Sequence, residues 1–253
     1  MAMRALQVEK VSKNFGGIKA INGINLSIEI GERRGIIGPN GAGKTTLFNL
    51  ISGLTQVSSG SISLFGTDIS HMPARKRQGL GLGRTFQITE LFPRLTVFNN
   101  VLLGALSLDS ARFSLLRSIR SYKRLLADGQ ELLSRWGLWE KRDMAVSSLS
   151  YGERRQLELV VALASKPRFL LLDEPTAGLG TAETQAMCSM IQALGKEITL
   201  LIIEHDINAA IQLSEKATVL NFGEIIAEGS WDQIRGDSHV WEIYLGLKRT
   251  WPF

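Results

Sequence analysis

Gly38-Pro39-Asn40-Gly41-Ala42-Gly43-Lys44-Thr45 is the stretch on which the fold of this chain turns. It fits G-x-x-x-x-G-K-[ST], and it lies between a short strand pattern at 34–37 and a helix pattern at 44–53 that ends at Gly53. That context predicts a phosphate-binding loop. The glycines let backbone N–H groups close on phosphate oxygens, and the following helix adds the positive end of its dipole. Lys44 is placed to reach the β- and γ-phosphates, and the Thr45 hydroxyl to ligate Mg²⁺, with Thr46 beside it in the same first turn. A glycine-rich turn with a surface lysine is the alternative, and the flanking strand and helix disfavour it.

Downstream, Phe169-Leu170-Leu171-Leu172-Asp173-Glu174 reads as a buried strand ending in two acids. Leucines followed by acids are a weak signal alone. Joined to the phosphate loop they predict Asp173 in a Mg²⁺ shell and Glu174 against the attacking water. Capping of the next helix is the competing use for such a pair.

The rest of the pattern fits an α/β chain. From 4 to 30, apolar residues alternate (Leu6, Val8, Val11, then Ile21, Ile24, Leu26, Ile28) around Gly16-Gly17, which predicts antiparallel strands joined by a turn. A further strand is expected at 59–65. Between about 90 and 150 the pattern turns helical, broken by VSSLS at 146–150. Helices at 152–164, 181–195 and 206–214 then alternate with strands at 168–172, 198–203, 217–221 and 224–227, and 231–253 reads as a final helix and tail. Such alternation implies a largely parallel sheet covered on both faces. The expected organisation is a nucleotide-binding core with an antiparallel β subdomain over 1–90 and 151–253, and an inserted helical subdomain over 91–150.

Composition sets bounds on what the chain does. Of 253 residues, 44% are hydrophobic and 21% charged, which suits a globular protein. The longest apolar runs are strand-sized, far short of the roughly 20 residues that span a bilayer. MAMRALQVEK has no apolar secretory segment, so a cytoplasmic location is expected. The single cysteine, Cys188, reads as a buried thiol. The net charge of +5 gathers partly at Arg75, Lys76 and Arg77 and partly along 112–135, where the spacing of apolar residues predicts charges on the outer face of amphipathic helices, a solvated face being favoured over a lipid contact. No Cys/His cluster suggests zinc, and no Ser/His/Asp set suggests another hydrolase.

Leu149-Ser150-Tyr151-Gly152-Glu153 opens a helix a short distance before the acidic strand, and here the chain resembles the ABC ATPase family. Ser150 is a natural N-cap. The resemblance implies more: that Ser150, Tyr151, Gly152 and Glu153 form a signature gripping the γ-phosphate of ATP held by a second ABC ATPase subunit. It also implies that Gln87, in Gly83-Arg84-Thr85-Phe86-Gln87, touches Mg²⁺ and the attacking water and senses the transmembrane partner. By the same likeness His205 contacts the γ-phosphate and helps place Glu174, and Phe15 stacks on adenine. Tyr151 and Glu153 depart from the commonest LSGGQ form, and Gly180 stands where many relatives carry an aspartate. NFGGIKAINGINLSI, GRTFQ, LSYGERRQLEL and WEIYLG resemble the LivG-type ATPases of branched-chain and other hydrophobic amino-acid importers. That likeness implies ATP and Mg²⁺ as cofactors, two transmembrane permease subunits, a periplasmic or extracellular solute-binding protein acting indirectly, and a peripheral place on the inner face of the cell membrane. The rival likenesses are the LptB-type ATPases of lipopolysaccharide transport and soluble ABC ATPases acting on nucleic acid. The latter usually carry a long coiled-coil insertion or two ATPase domains, neither of which is present, so no nucleic-acid partner is expected.

Overall fold

The structure is a computed structural model that describes residues 4–85, 91–106, 123–238, 240 and 242. The alternating N-terminal stretch forms β1 (Arg4–Phe15) and β2 (Ile18–Glu29), antiparallel across the Gly16-Gly17 turn. Their inward residues Leu6, Val8, Ile21, Ile24 and Ile28 are all buried. β3 (Arg33–Ile37) leads into the glycine loop and α1 (Lys44–Ser52). After it come β4 (Ser59–Leu64) and the two-residue β5 (Thr67–Asp68), which extend the first sheet in the order β2-β1-β4-β5.

The second sheet, among the described residues, has six strands in the order β10-β9-β3-β8-β7-β6. These are β6 (Leu82–Arg84), β7 (Phe169–Asp173), β8 (Thr199–Ile203), β9 (Lys216–Asn221) and β10 (Glu224–Ser230), besides β3. All neighbours are parallel except β10, an antiparallel edge. Every residue of β7 and β8 is buried, as expected for parallel strands covered on both faces. One face packs Leu171, Leu201 and Ile203 against α1 and the first sheet. The other packs Leu170, Leu172, Leu200 and Ile202 against Met187, Cys188 and Ile191 of α6 (Thr181–Gln192) and Leu213 of α7 (Ile207–Leu213). Each such side chain contributes about 1.5–3 kcal/mol by leaving water.

Helices α3 (Val97–Leu106), α4 (Lys123–Arg135) and α5 (Tyr151–Ala164) share a separate apolar cluster. α5 joins it to the sheet, because Leu157 and Val160 face that cluster while Leu159 and Leu163 face Leu170 and Leu172.

One sequence expectation shifts, and two further features bear on the site. The segment 181–195 is helical only to Gln192, and Gly195 lies beyond the helix in the turn toward β8. Within 231–253, the short α8 (Trp231–Gly236) is held by the Trp231 indole N–H donating to Ser214 O at 3.0 Å, and the described residues 238, 240 and 242 are helical beyond it. Arg77 lies inward although its neighbours Arg75 and Lys76 are exposed. It lies in α2 (Ala74–Gln78), fully buried, and donates to Met72 O at 2.7 Å, Leu50 O at 2.5 Å and Ile51 O at 2.8 Å. Leu50 and Ile51 are in the last turn of α1, whose carbonyls have no partner within the helix. Arg77 therefore anchors the far end of the helix whose near end is the glycine loop.

Candidate functional site

The C-terminal edge of the parallel sheet carries the site. The ends of β3, β7, β8 and β9 deliver the glycine loop, Glu174, His205 and Phe222 to one cleft of about 450 Å³, with Lys19 and Ala20 from β2 on its rim. Ligands collect at this edge in open parallel sheets. Asn40, Gly41, Ala42, Gly43, Lys44, Thr45 and Thr46 all line it.

The loop's glycines are required by space as well as by conformation. Gly38 has φ +154°, and a Cβ there would lie 2.2 Å from Leu220 O. Gly43 has φ +105°, and its Cβ would lie 2.7 Å from Ala20 O. The loop is thus pressed onto β2 and the β9–β10 turn, with Gly223 N–H donating to Ala42 O at 2.9 Å. Pro39 carries one of the carbonyls that hold the lysine: the Lys44 ammonium turns back to Gly38 O at 2.6 Å and Pro39 O at 3.0 Å. Burial lowers the Lys44 pKa, and the Glu174 and Asp173 carboxylates oppose that effect.

Asp173 and Glu174 end β7 in different surroundings. Asp173 is 1% exposed, and its Oδ2 accepts from Arg84 at 2.9 Å across 89 residues of sequence. Its Oδ1 is buried and has no hydrogen-bond partner among the described residues. Burial raises the Asp173 pKa, against the Arg84 guanidinium. Glu174 holds φ +50°, a left-handed conformation that costs a side-chain-bearing residue about 1–3 kcal/mol. Its N–H donates to Ile203 O at 2.9 Å, and its Oε1 lies 2.7 Å from His205 Nε2.

The orphaned Asp173 oxygen and the exposed Thr45 hydroxyl at the start of α1 suit a hard divalent cation beside phosphates. Gln87, the third residue assigned to that shell, and Phe86 lie outside the described residues.

Ser150, Tyr151, Gly152 and Glu153 are not brought to this cleft. Ser150 N-caps α5 in a reciprocal box: its side chain accepts from Glu153 N–H at 3.2 Å, and Glu153 Oε2 accepts from Ser150 N–H at 2.9 Å. Tyr151 is 42% exposed, and its hydroxyl donates to Ala177 O at 3.1 Å. Phe15, at the end of β1, is half-exposed under the Lys13 ammonium, 5.0 Å from the ring centroid, and is not among the residues lining the cleft.

Four residues of the site were not singled out in the sequence. Glu204 adjoins His205 and Arg84 lies three residues before Gln87, but nothing local marks either. Glu204 is buried, and its Oε1 accepts the Thr176 N–H at 3.0 Å and hydroxyl at 2.8 Å. Phe222 is 83% exposed at the cleft mouth. Asn-Phe-Gly-Glu marks a hairpin turn, yet only the pairing of β9 with β3 places that turn beside the phosphate loop. Arg155 is the fourth, and its position emerges only once α5 and β7 are packed together.

The profile described as ABC transporter matches residues 21–177. The chain is 36% identical to the high-affinity branched-chain amino acid transport ATP-binding protein BraF of Pseudomonas aeruginosa, over 97% of this chain and 99% of that one. It is 35% identical to the LivG protein of Escherichia coli, described in the same words, with the same coverage. The lipopolysaccharide export ATP-binding protein LptB of Haemophilus influenzae is 34% identical over 96% of this chain and 98% of its own length. Among solved structures, a nucleotide-free ATP-binding cassette from an ABC transporter superposes with TM-score 0.84 at 30% identity, covering 96% of this chain and all of that one. The ADP conformation of another cassette gives TM-score 0.84 at 31% identity, covering 96% of this chain and 99% of that one.

Proposed function

The chain belongs to the ABC transporter ATP-binding family, and from that premise we propose that it hydrolyses ATP to power an importer of branched-chain or other hydrophobic amino acids. The reading is carried by the convergence of Lys44, Glu174 and His205 on one cleft at the sheet edge, with Glu174 and His205 2.7 Å apart. In this assignment the loop N–H groups and Lys44 cradle the triphosphate, displacing Lys44 from the Gly38 and Pro39 carbonyls. Glu174 orients the attacking water and takes its proton, and His205 fixes the carboxylate. Thr45 and Asp173, with Gln87, would hold Mg²⁺, which supplies charge neutralisation at the phosphates. Phe15 is assigned to the adenine.

The separation of Ser150 to Glu153 from the cleft supports a role toward a second nucleotide, held by another ATPase subunit. Binding of phosphate at the Ser150-capped start of α5 would use the free N–H groups and dipole of that helix. The importer reading brings two permease subunits and, indirectly, a solute-binding protein. No helix among the described residues is long and apolar enough to cross a membrane, so the assigned place is peripheral, on permeases at the inner face. A groove of about 310 Å³ between α1 and α5, lined by Leu54, Arg84, Leu91 and Val161, fits a permease's cytoplasmic helix, with the exposed Phe92 near it in sequence.

The test is ATP turnover by the purified chain and by its Glu174→Gln variant. The variant keeps the shape of the carboxylate but cannot take a proton, so turnover should fall about 10²–10⁴-fold while ATP binding survives. Undiminished turnover in the variant removes the assignment. Reconstitution with permeases then separates the substrates: ATPase stimulation by a loaded amino-acid-binding protein supports the importer, and stimulation by lipopolysaccharide alone replaces it.

A further inference from the structure

Glu174 is strained, and something must hold it. Its φ of +50° is one that a glutamate adopts only when the surroundings over-determine it. Two of its restraints are local to the sheet, the N–H bond to Ile203 O and the side-chain contact with His205. Another comes from outside it. Arg155, in the first turns of α5, is 4% exposed and donates from Nη2 to Glu174 O at 2.9 Å. Its other terminal nitrogen pairs with Glu158 Oε2 at 3.0 Å, one helical turn along, a contact separate from the one to Glu174.

The contact is one of a series. Ala177 O accepts from the Tyr151 hydroxyl at 3.1 Å, so residues of the same short helix start hold two carbonyls of the segment 174–177. Gly152 packs so closely that a Cβ there would lie 2.4 Å from Glu183 Oε1, and Glu183 Oε2 accepts the Gly180 N–H at 3.1 Å. The chain that follows the acidic strand is thus bound at 174, 177 and 180 to α5 or to a residue touching it.

We propose that Arg155 is a positioning residue for Glu174: from the start of α5 it fixes the backbone that aims the carboxylate, with Tyr151 as its second point of attachment. Arg155 is not among the residues that line the cleft. It acts on the catalytic step because rotation about the Glu174 backbone sweeps the carboxylate away from water and His205, while the phosphate loop is left intact. A guanidinium suits the task, since a charge-assisted bond to a carbonyl is stronger than a neutral one and its planar fork serves Glu158 and Glu174 together. The inference rests on the ATPase reading above.

The experiment measures kcat, KM and ATP affinity by calorimetry for the full chain carrying Arg155→Met, Arg155→Lys, Tyr151→Phe or Glu158→Gln. Misplacement without loss of binding should lower kcat about 10–100-fold in Arg155→Met, with ATP affinity changed less than about 3-fold. Arg155→Lys, which can still donate to Glu174 O, should recover part of that loss, and Tyr151→Phe should lose several-fold. Glu158→Gln removes the ion pair and leaves the Glu174 contact, so it should lower the melting temperature with little effect on kcat. If Arg155→Met does not fold, the comparison of Arg155→Lys with Glu158→Gln decides. The proposal is overturned by wild-type kcat in Arg155→Met, by equal losses of kcat and ATP affinity, or by a kcat loss in Glu158→Gln as large as that in Arg155→Lys. Wild-type turnover that Glu174→Gln does not abolish would remove the ATPase assignment and this inference with it.

Discussion

Replacing Glu204 by glutamine should make the protein more stable, by a margin that opens as pH rises from 4.5 to about 7. Glu204 is 2% exposed at the end of β8, with its Oε1 taken by both Thr176 donors. Burial pushes its carboxyl up from 4.5 to about 7; the Thr176 and His205 hydrogen bonds oppose the rise and the nearby Glu174 charge adds to it. From pH 4.5 to about 7 the folded chain therefore keeps a proton that the unfolded chain has released. The folded state binds more protons there, so stability falls as pH rises through that window. At about 1.4 kcal/mol per pH unit, the displacement amounts to about 3 kcal/mol, lost in full by about pH 8. The Glu204→Gln variant would still offer a side-chain oxygen to Thr176 and cannot ionise. Urea unfolding at constant ionic strength should give equal stabilities, within about 1 kcal/mol, at about pH 5, and a variant more stable by about 2–3 kcal/mol at about pH 8. Taking the difference between variant and wild type cancels the titration of all other groups. A difference that stays flat with pH, or that falls as pH rises, would refute the reasoning.

Arg77→Leu should destabilise the chain by about 2–4 kcal/mol, since the orphaned Leu50 and Ile51 carbonyls outweigh the relief of burying a charge whose pKa is already lowered to about 10; an unchanged urea midpoint would show that these carbonyls find other partners. Gly38→Ala should weaken ATP binding by about 10-fold or more, because a Cβ 2.2 Å from Leu220 O forces the phosphate loop off β9. Calorimetry checks it, and wild-type affinity would mean the loop yields without losing its N–H array.

What the sequence made legible was local. The phosphate loop, the acid pair at the end of β7 and the Ser150 cap are each written within eight consecutive residues, so motif and element arrive together. The parallel sheet was legible from apolar runs as well, although β6 was not, because three residues carry no periodicity. What stayed hidden depends on register between distant strands. Asp173 meets Arg84 because Leu171 pairs with Arg84 across β6 and β7. Arg77 shows how composition misleads: Arg75, Lys76 and Arg77 are alike in sequence, and only the turn of a five-residue helix sends one of them inward. Gln87 and Phe86 fall outside the described residues, so the expected sensor role has no geometry here.

The charges of the cleft are balanced from within the chain, and that governs what nucleotide binding can gain. Lys44 already has two carbonyl acceptors, Asp173 has Arg84 on one oxygen, and Glu174 has His205. On the proposed reading, ATP binding would exchange contacts, and its net yield would be smaller than a count of the bonds formed would give. The groups with most to gain are those that hold no bond now, the Asp173 Oδ1 above all. A divalent cation held there would satisfy a buried polar atom that has no partner among the described residues, and metal and nucleotide binding would then reinforce each other. Gly180 fits the same logic. Its φ of −70° and ψ of 166° are open to any residue, so the glycine is not there for backbone freedom. Glu183 supplies the carboxylate that Gly180 lacks, accepting its N–H from three residues along. The acidic group at this turn is thus held inside the subunit, where it lies against Gly152 at the start of α5.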